Sequence, residues 1–181
     1  MTEQKSGTMA KKINVEQIQL LIMDVDGVLT DGGIIVHSDG TESKRFCVYD
    51  GHRIRMWHRA GHVSAIISGR QSDATTIRAQ QLEIPYVYQG CTEKLSVFES
   101  LLKTLNLKAE QTAYIGDDLM DMPLVRRAGF GVASANAVEE LKQCADWITG
   151  RPGGDGAVGE TIEYIFKQTG TWAAMLERYR V

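Results

Sequence analysis

The chain has 181 residues, of which 43% are hydrophobic and 24% are charged, and its formal net charge is -3. This length and composition are typical of one ordinary globular domain. Because lysine and arginine are neither in excess nor clustered, a nucleic-acid partner is not expected. No apolar run reaches the roughly 18 residues that a membrane span requires, so a membrane partner is not expected either.

The beginning of the chain is polar and lacks the apolar stretch of a signal peptide, so we interpret residues 1–18 as a flexible leader. The cysteines Cys47, Cys91 and Cys144 are isolated and occur in no CxxC spacing. An odd number of separate cysteines indicates reduced thiols, as in a cytoplasmic protein, rather than disulfides or a zinc site.

Residues 19–170 alternate between apolar, β-branched runs and helical patterns. The predicted strands are Gln19–Val25, Val63–Ser68, Tyr86–Tyr88, Thr112–Asp117, Phe130–Ala133 and Asp146–Thr149. The predicted helices are Gly51–Ala60, Asp73–Leu82, Glu93–Leu105, Met122–Ala128, Ala137–Cys144, Ala157–Thr169 and Trp172–Tyr179. After the first strand, two short extended runs flank "SDGT", which indicates a projecting β-hairpin. The pattern predicts an α/β fold with a mainly parallel sheet and helices on both faces.

Acidic residues stand at the ends of two predicted strands. Asp24 and Asp26 end the first strand, and Asp117 and Asp118 end the fourth. Ligands of such open sheets bind beyond the carboxyl ends of the strands. Side chains two residues apart point the same way in an extended strand, so Asp24 and Asp26 are expected to face one site if the strand extends that far.

A cluster of carboxylates needs a counter-charge, because two unit charges about 4 Å apart repel by roughly 4 kcal/mol at an effective dielectric constant of about 20. Mg²⁺ prefers oxygen ligands and shares its coordination shell with substrate phosphate. Ser68 and Lys94 are expected at the same edge of the sheet and suit phosphate oxygens. Each motif alone is explained by helix or turn capping, but their order at successive strand ends predicts Mg²⁺-dependent phosphoryl transfer.

Four stretches, "DVDGVLTDG", "IISGR", "TEKL" and "YIGDDLMD", resemble the four ordered motifs of the haloacid dehalogenase-like phosphotransferases. The resemblance extends over about residues 19–166 and implies a Rossmann-like fold. It implies that Asp24 is the nucleophile that forms an aspartyl-phosphate, and that Asp26 is the general acid and then the general base. Ser68 and Lys94 would hold the phosphoryl group.

The resemblance also implies a magnesium site and indicates how the site is covered. Its ligands would be Asp24, the backbone carbonyl of Asp26, and Asp117, with Asp118 and Asp121 as supporting acids. Enzymes of this kind usually carry a cap domain after the first or second motif. Both gaps are too short here for an independently stable domain, so a member without a cap domain is predicted.

Among members without a cap, the chain is similar to the phosphatases of 3-deoxy-D-manno-octulosonate 8-phosphate, a sugar acid phosphate, in "FCVYDGHRIR", "YVYQGCTEKL" and "GGDGAVGE". The bidentate fork of arginine suits both the carboxylate and the phosphate of such a substrate. The resemblance implies substrate contacts from Cys47, Val48, Tyr49, Asp50, Gly51, Arg55, Gly69, Arg70 and Arg78. It further implies a homotetramer in which neighbouring chains, including residues 171–181 as a docking tail helix, help to close the site. Because a cap domain is missing, we expect the projecting hairpin to mediate this assembly.

Three positions depart from the pattern of that group. Arg53 stands where a small residue is usual, Asp155 where a basic residue is common, and Gly159 where an arginine is usual. These departures leave an octulosonate 8-phosphate and a nonulosonate 9-phosphate both open as substrates.

Two hypotheses from other classes use the same residues. A response-regulator receiver, which is a signalling module, would need an acceptor aspartate at the end of a central strand. The second and third predicted strands end in Ser68 and Tyr88 instead. A non-catalytic oligomeric scaffold would not need an intact set of acids at successive strand ends.

Overall fold

The computed structural model describes residues 13–180, which form eight strands and seven α-helices. The strands are β1 (Leu20–Met23), β2 (Ile35–Val36), β3 (Glu42–Ser43), β4 (Val63–Ile67), β5 (Tyr86–Tyr88), β6 (Thr112–Gly116), β7 (Phe130–Ala133) and β8 (Trp147–Ile148). The helices are α1 (Val48–Arg59), α2 (Asp73–Leu82), α3 (Lys94–Leu105), α4 (Met122–Arg127), α5 (Glu139–Lys142), α6 (Ala157–Gln168) and α7 (Trp172–Glu177).

Six strands form one parallel sheet in the order β5-β4-β1-β6-β7-β8. The central strand β1 is fully buried, and its side chains alternate between two apolar clusters. Leu21 and Met23 pack in the cluster that contains residues of α1, α2 and α6, while Leu20 and Ile22 pack in the cluster with α3, α4 and α5. This two-sided burial explains the continuous apolar run in the sequence and confirms the predicted α/β fold with helices on both faces.

Strand β1 ends two residues earlier than predicted. The carbonyl of Val25 accepts hydrogen bonds from the backbone N–H of Val28 at 3.2 Å and of Thr30 at 3.0 Å, which closes a tight turn. Asp24 still pairs with the sheet, because its N–H donates to the carbonyl of Ile115 at 3.1 Å. Asp26 therefore lies in a turn, and the period-two argument for its direction does not apply.

The predicted hairpin is present, with β2 antiparallel to β3. At its tip, the Asp39 carboxylate accepts a hydrogen bond from the N–H of Thr41 at 3.0 Å. Three apolar residues of the hairpin are exposed: Ile34, Ile35 and Val36. Residues 13–180 contain no cap domain between the strands that carry the predicted motifs. They also contain no helix long and apolar enough to cross a membrane.

The two ends of the chain relate differently to the predicted segments. Of the predicted leader, residues 1–12 lie outside the described range, whereas Val15–Gln17 form a short 3-10 helix and Ile18 is buried. The packed domain therefore begins before residue 19. Within a single chain, the tail contacts α1, since the Tyr179 hydroxyl accepts a hydrogen bond from Arg59 at 2.7 Å. Docking of the tail on a neighbouring subunit stays a prediction.

Candidate active site

The carboxyl ends of β1, β4 and β6 surround a cleft of about 260 Å³. All of the residues predicted for catalysis and metal binding line it together, although they come from distant parts of the sequence. They are Asp24, Asp26, Ser68, Gly69, Arg70, Lys94, Asp117, Asp118 and Asp121, joined by Gly32 and Met120. The parallel topology alone explains this convergence, because every one of these strands ends at the same edge of the sheet.

Lys94, the first residue of α3, is a buried cation between two carboxylates. Its Nζ lies 2.9 Å from Asp24 Oδ2 and 2.7 Å from Asp121 Oδ1. Burial lowers the pKa of Lys94, but the two acids more than offset this effect and raise the pKa above its usual value. Lys94 is therefore charged and fixed in position.

Asp121 is fully buried, and both of its carboxylate oxygens are occupied. Besides Lys94, its Oδ1 accepts a hydrogen bond from the Tyr114 hydroxyl at 2.6 Å. Its Oδ2 accepts bonds from the backbone N–H groups of Asp117 at 3.0 Å and Asp118 at 3.3 Å. Asp121 thus orients Lys94 and the end of β6. Tyr114 was not predicted, because a buried tyrosine in a central strand gives no sequence signal beyond that of the core.

Unpartnered carboxylate oxygens of Asp24 and Asp117 in the cleft fit a divalent cation. Carboxylate oxygens of Asp24, Asp117 and Asp121 lie within 4.8 Å of one another. The oxygens of Asp121 are already satisfied, whereas Asp24 Oδ1 and Asp117 Oδ1 are buried without a hydrogen-bond partner. Buried, unpaired carboxylates are strongly disfavoured, and Mg²⁺ takes such hard oxygen ligands. The donor set therefore fits Mg²⁺ with Asp24 and Asp117 as carboxylate ligands.

The same crowding raises the pKa values of both acids. Burial, followed by the charge of Asp121, raises the pKa of Asp24 to about 6. Burial, again followed by Asp121 and then Asp24, raises the pKa of Asp117 to about 8. A bound cation favours the charged forms and would lower both pKa values.

Asp26 is held by the hairpin rather than by the strand. Its Oδ1 forms an ion pair with Lys44, and its Oδ2 is buried without a hydrogen-bond partner, 3.6 Å from Arg70 Nε. Arg70 in turn donates to Glu42 at 2.9 Å. Lys44 and Glu42 were not predicted as site residues. Glu42 lies on β3 and Lys44 follows the end of that strand, so no periodicity in the sequence indicates that either residue belongs to the site.

The turn that carries Asp26 rests on the segment before α6. The carbonyl of Gly27 accepts hydrogen bonds from Ser134 at 3.3 Å and Asn136 at 3.0 Å. A Cβ atom on Gly153 would lie 1.9 Å from that carbonyl oxygen, so only glycine permits this approach. The "GGDG" segment therefore supports the turn that contains Asp26, and neither this role nor that of Asn136 was predicted.

The other predicted substrate residues do not line this cleft. Residues 47–51 form the beginning of α1, where Val48 and Tyr49 are exposed. Asp50 is buried and accepts a hydrogen bond from the N–H of Gly159 at 2.7 Å, and burial raises its pKa to about 6. Arg55 forms an ion pair with Glu83, and the Arg78 guanidinium lies over the ring of Phe46 at 5.8 Å. Their contact with substrate stays a prediction.

A larger cavity of about 540 Å³ is lined by residues of α1 and α6, away from the cluster of acids. Its two acidic side chains are already engaged. Glu163 pairs with Arg53 at 2.7 Å, and Glu160 accepts a hydrogen bond from the N–H of Arg151 at 2.8 Å. Size alone does not make this cavity the active site, because both of its carboxylates are already paired.

Comparisons with known proteins agree with this geometry. A sequence family described as haloacid dehalogenase-like hydrolase matches residues 65–162. The 3-deoxy-D-manno-octulosonate 8-phosphate phosphatase of Escherichia coli (strain K12) is 42% identical over 155 residues, which cover 86% of this chain and 82% of that relative. The chain belongs to the haloacid dehalogenase-like hydrolases. This membership confirms the resemblance found in the sequence and leaves the receiver hypothesis without support.

Solved structures of haloacid dehalogenase-like hydrolases match almost the whole chain. The 3-deoxy-D-manno-octulosonate 8-phosphate phosphatase of Moraxella catarrhalis, in complex with a magnesium ion, a phosphate ion and KDO, has a TM-score of 0.90 and 41% identity, covering 92% of this chain and 95% of that chain. The cobalt-bound form of the Haemophilus influenzae enzyme has a TM-score of 0.85 and 37% identity, covering 88% and 94% respectively. Both relatives bind a divalent metal ion.

Proposed function

We propose that this protein is a Mg²⁺-dependent phosphatase that hydrolyses 3-deoxy-D-manno-octulosonate 8-phosphate to the free sugar acid and phosphate. The observation that carries the reaction class is the pair of buried, unpartnered oxygens on Asp24 and Asp117 beside the fixed cation Lys94. The three carboxylates of Asp24, Asp117 and Asp121 face the single cation of Lys94, and a divalent cation would supply the missing positive charge. A non-catalytic scaffold has no need for such a site.

The chemistry is assigned to the side chains of the cleft in two steps. In the first, a carboxylate oxygen of Asp24 attacks phosphorus, the ester P–O bond breaks, and Asp26 gives its proton to the departing sugar oxygen. In the second, Asp26 takes a proton from water, which attacks the aspartyl-phosphate and releases phosphate with Asp24 restored. Mg²⁺, held by Asp24 and Asp117, would offset the repulsion between the nucleophile and the phosphate.

The phosphoryl group also needs fixed donors in the cleft. Lys94 contributes a buried positive charge, and Ser68, which is 2% exposed at the end of β4, contributes a hydroxyl group. Both suit phosphate oxygens. The backbone carbonyl of Asp26 is the proposed third protein ligand of Mg²⁺, and Asp118 is proposed as a supporting acid at the rim, where it is exposed.

The choice of sugar rests on the relatives, whose names specify octulosonate 8-phosphate, and one of which binds KDO. A nonulosonate 9-phosphate is the second candidate, because Arg53 and Gly159 depart from the expected pattern. Arg53 pairs with Glu163 at 2.7 Å and lies over the ring of Trp172 at 5.4 Å. Its guanidinium is therefore engaged within the chain and is not free to contact a different sugar. This favours the octulosonate as substrate.

We also propose that the chain works as a homotetramer assembled through the hairpin. Residues 47–51, Arg55 and Arg78 do not line the cleft of their own chain, and we propose that they contact substrate bound to a neighbouring subunit. Exposed apolar residues on the hairpin support such an assembly. The three free cysteines support a cytoplasmic location.

The test is a substrate panel with purified protein and Mg²⁺. Phosphate release would be measured for octulosonate 8-phosphate, a nonulosonate 9-phosphate and hexose 6-phosphates, with EDTA as the control. We expect the highest kcat/KM for the octulosonate ester and no turnover with EDTA. A preference for the nonulosonate ester would overturn the choice of sugar, and turnover that survives EDTA would overturn the reaction class.

A further inference from the structure

Lys44 reaches from the end of the hairpin to the back of Asp26. Its side chain is 1% exposed, and its ammonium group forms an ion pair with Asp26 Oδ1. Lysine is almost never buried to this extent unless it is paired. The Lys44 ammonium also lies 4.0 Å from Oε1 of Glu42, which belongs to β3, the strand that Lys44 follows. The buried ammonium group of Lys44 thus contacts Asp26, the acid that transfers a proton in the proposed reaction.

Arg70 completes an alternating set of charges around Asp26. Its Nε lies 3.6 Å from Asp26 Oδ2, and another guanidinium nitrogen donates to Glu42 Oε2 at 2.9 Å. Glu42 is therefore near both cations and connects the hairpin to the end of β4. The Asp26 side chain is tied on one side, through Oδ1, while its Oδ2 has no hydrogen-bond partner.

Two simpler roles for Lys44 fit the structure less well. Exposed ion pairs contribute little to stability and carry no positional information, but this pair is formed by a lysine side chain that is almost wholly buried. A direct role in binding substrate would require the ammonium group to face the cleft. Asp26 lines the cleft and Lys44 does not, so Lys44 stands behind the acid.

We propose that Lys44 is a positioning residue for the general acid. By holding Oδ1, it leaves Oδ2 as the oxygen that carries the proton and aims it at the departing oxygen of the substrate. The inference rests on the proposed function, because it assumes that Asp26 transfers a proton there. The hairpin then positions the general acid of its own chain through Lys44, in addition to any role in assembly.

The test compares two leaving groups. A sugar phosphate leaves as an alkoxide that must be protonated, whereas p-nitrophenyl phosphate leaves as a phenolate that needs no proton. General acid catalysis contributes about a hundredfold to ten-thousandfold, so we expect Lys44→Met to lower kcat for the sugar phosphate by about tenfold to a hundredfold. The kcat for p-nitrophenyl phosphate and both KM values should stay within about threefold of wild type.

A double variant establishes whether Lys44 acts through Asp26. Asp26→Asn should show the same dependence on leaving group, more strongly, and adding Lys44→Met to it should have no further effect. The matched control is Arg45→Met, the adjacent hairpin residue, whose exposed side chain pairs with Asp31. The kcat of this control variant for each substrate should equal that of wild type.

Equal losses on both substrates, a change confined to KM, or additive effects in the double variant would overturn the inference. If the thermal melt of Lys44→Met is lowered, Lys44→Gln repeats the comparison with a hydrogen-bond donor retained. Wild-type protein that hydrolyses no alkyl phosphate with Mg²⁺ would overturn the proposed function and this inference together. Active wild type with an unchanged substrate ratio in Lys44→Met would overturn the inference alone.

Discussion

Asp24 and Asp117 carry pKa values raised to about 6 and about 8, with burial as the largest cause and Asp121 next. Both carboxyl groups therefore keep their protons to a higher pH than an ordinary aspartate does in the metal-free protein. A metal ion binds the deprotonated form, so its binding must release protons and must strengthen as the pH rises. This coupling follows from two side chains and needs no assumption about substrate.

The coupling predicts how stability depends on pH. Because the pKa of Asp117 is higher in the folded protein than its ordinary value of 3.8, the folded state binds more protons between that value and about 8. The contribution of Asp117 to stability is then lost as the pH rises through this window. In thermal melts, the Tm of wild type should fall relative to the Tm of Asp117→Asn as the pH rises from about 5 to about 8.

Magnesium should reverse this trend. We expect Mg²⁺ to raise the Tm of wild type more at about pH 8 than at about pH 5, and to have little effect on Asp117→Asn. Equal shifts for the two proteins would show that the ion binds elsewhere.

The segment before α6 shows how a glycine sets the position of the turn that contains Asp26. A Cβ on Gly153 would meet the carbonyl oxygen of Gly27 at 1.9 Å, and that carbonyl cannot move without shifting the turn that contains Asp26. Gly153→Ala should therefore lower the free energy of unfolding by about 1–3 kcal/mol and reduce kcat. Urea unfolding and steady-state assays provide the two measurements.

Gly150→Ala is the matched control. A Cβ there would meet first the carboxylate of Glu160, at 3.2 Å, which is the end of a flexible side chain. The change in unfolding free energy should stay within about 0.5 kcal/mol. Equal effects of the two substitutions would mean that the close approach at Gly153 does not matter.

Individual elements show which bounds of strands and helices could be predicted from the sequence. Strands β5 and β7 and helix α2 have the predicted bounds, because their apolar patterns are bordered by clear turn residues. The end of β1 was placed two residues too late, since the hydrogen bonds that stop it converge on the carbonyl of Val25, which has no side-chain signature. Helix α1 begins at Val48 rather than Gly51, so Gly51 lies in its first turn.

The convergence of the acids could be predicted, because a parallel sheet brings all its strand ends to one edge. The contact of the hairpin with Asp26 and Arg70 could not be predicted. Its direction relative to the sheet depends on ion pairs from Lys44 and Glu42 to residues far away in the sequence. Local patterns determine that a hairpin forms but do not specify which surface it covers.

The molecule as a whole has an open cleft and an exposed apolar hairpin. Exposed fractions of 43% for Ile34, 54% for Ile35 and 72% for Val36 place contiguous apolar surface on the projecting ribbon. Such surface marks interaction sites in soluble proteins. If the proposed tetramer forms here, Ile35→Lys should produce a smaller species in size-exclusion chromatography with light scattering.

Ile148→Lys is the control for that experiment. Ile148 is 44% exposed on the edge strand β8, away from the hairpin, and its replacement should leave the oligomer unchanged. A wild-type monomer, or an Ile35→Lys oligomer of wild-type size, would contradict assembly through the hairpin.

The proposed phosphatase reaction depends most directly on the attack of Asp24 on phosphorus. Wild-type protein mixed with excess sugar phosphate and Mg²⁺, quenched in acid during turnover and digested, should carry one phosphoryl group on the peptide that contains Asp24. The group should be absent without Mg²⁺ and absent from Asp24→Asn, which should be folded and inactive. Active Asp24→Asn, or a phosphoryl group attached to another residue such as Ser68, would contradict the account.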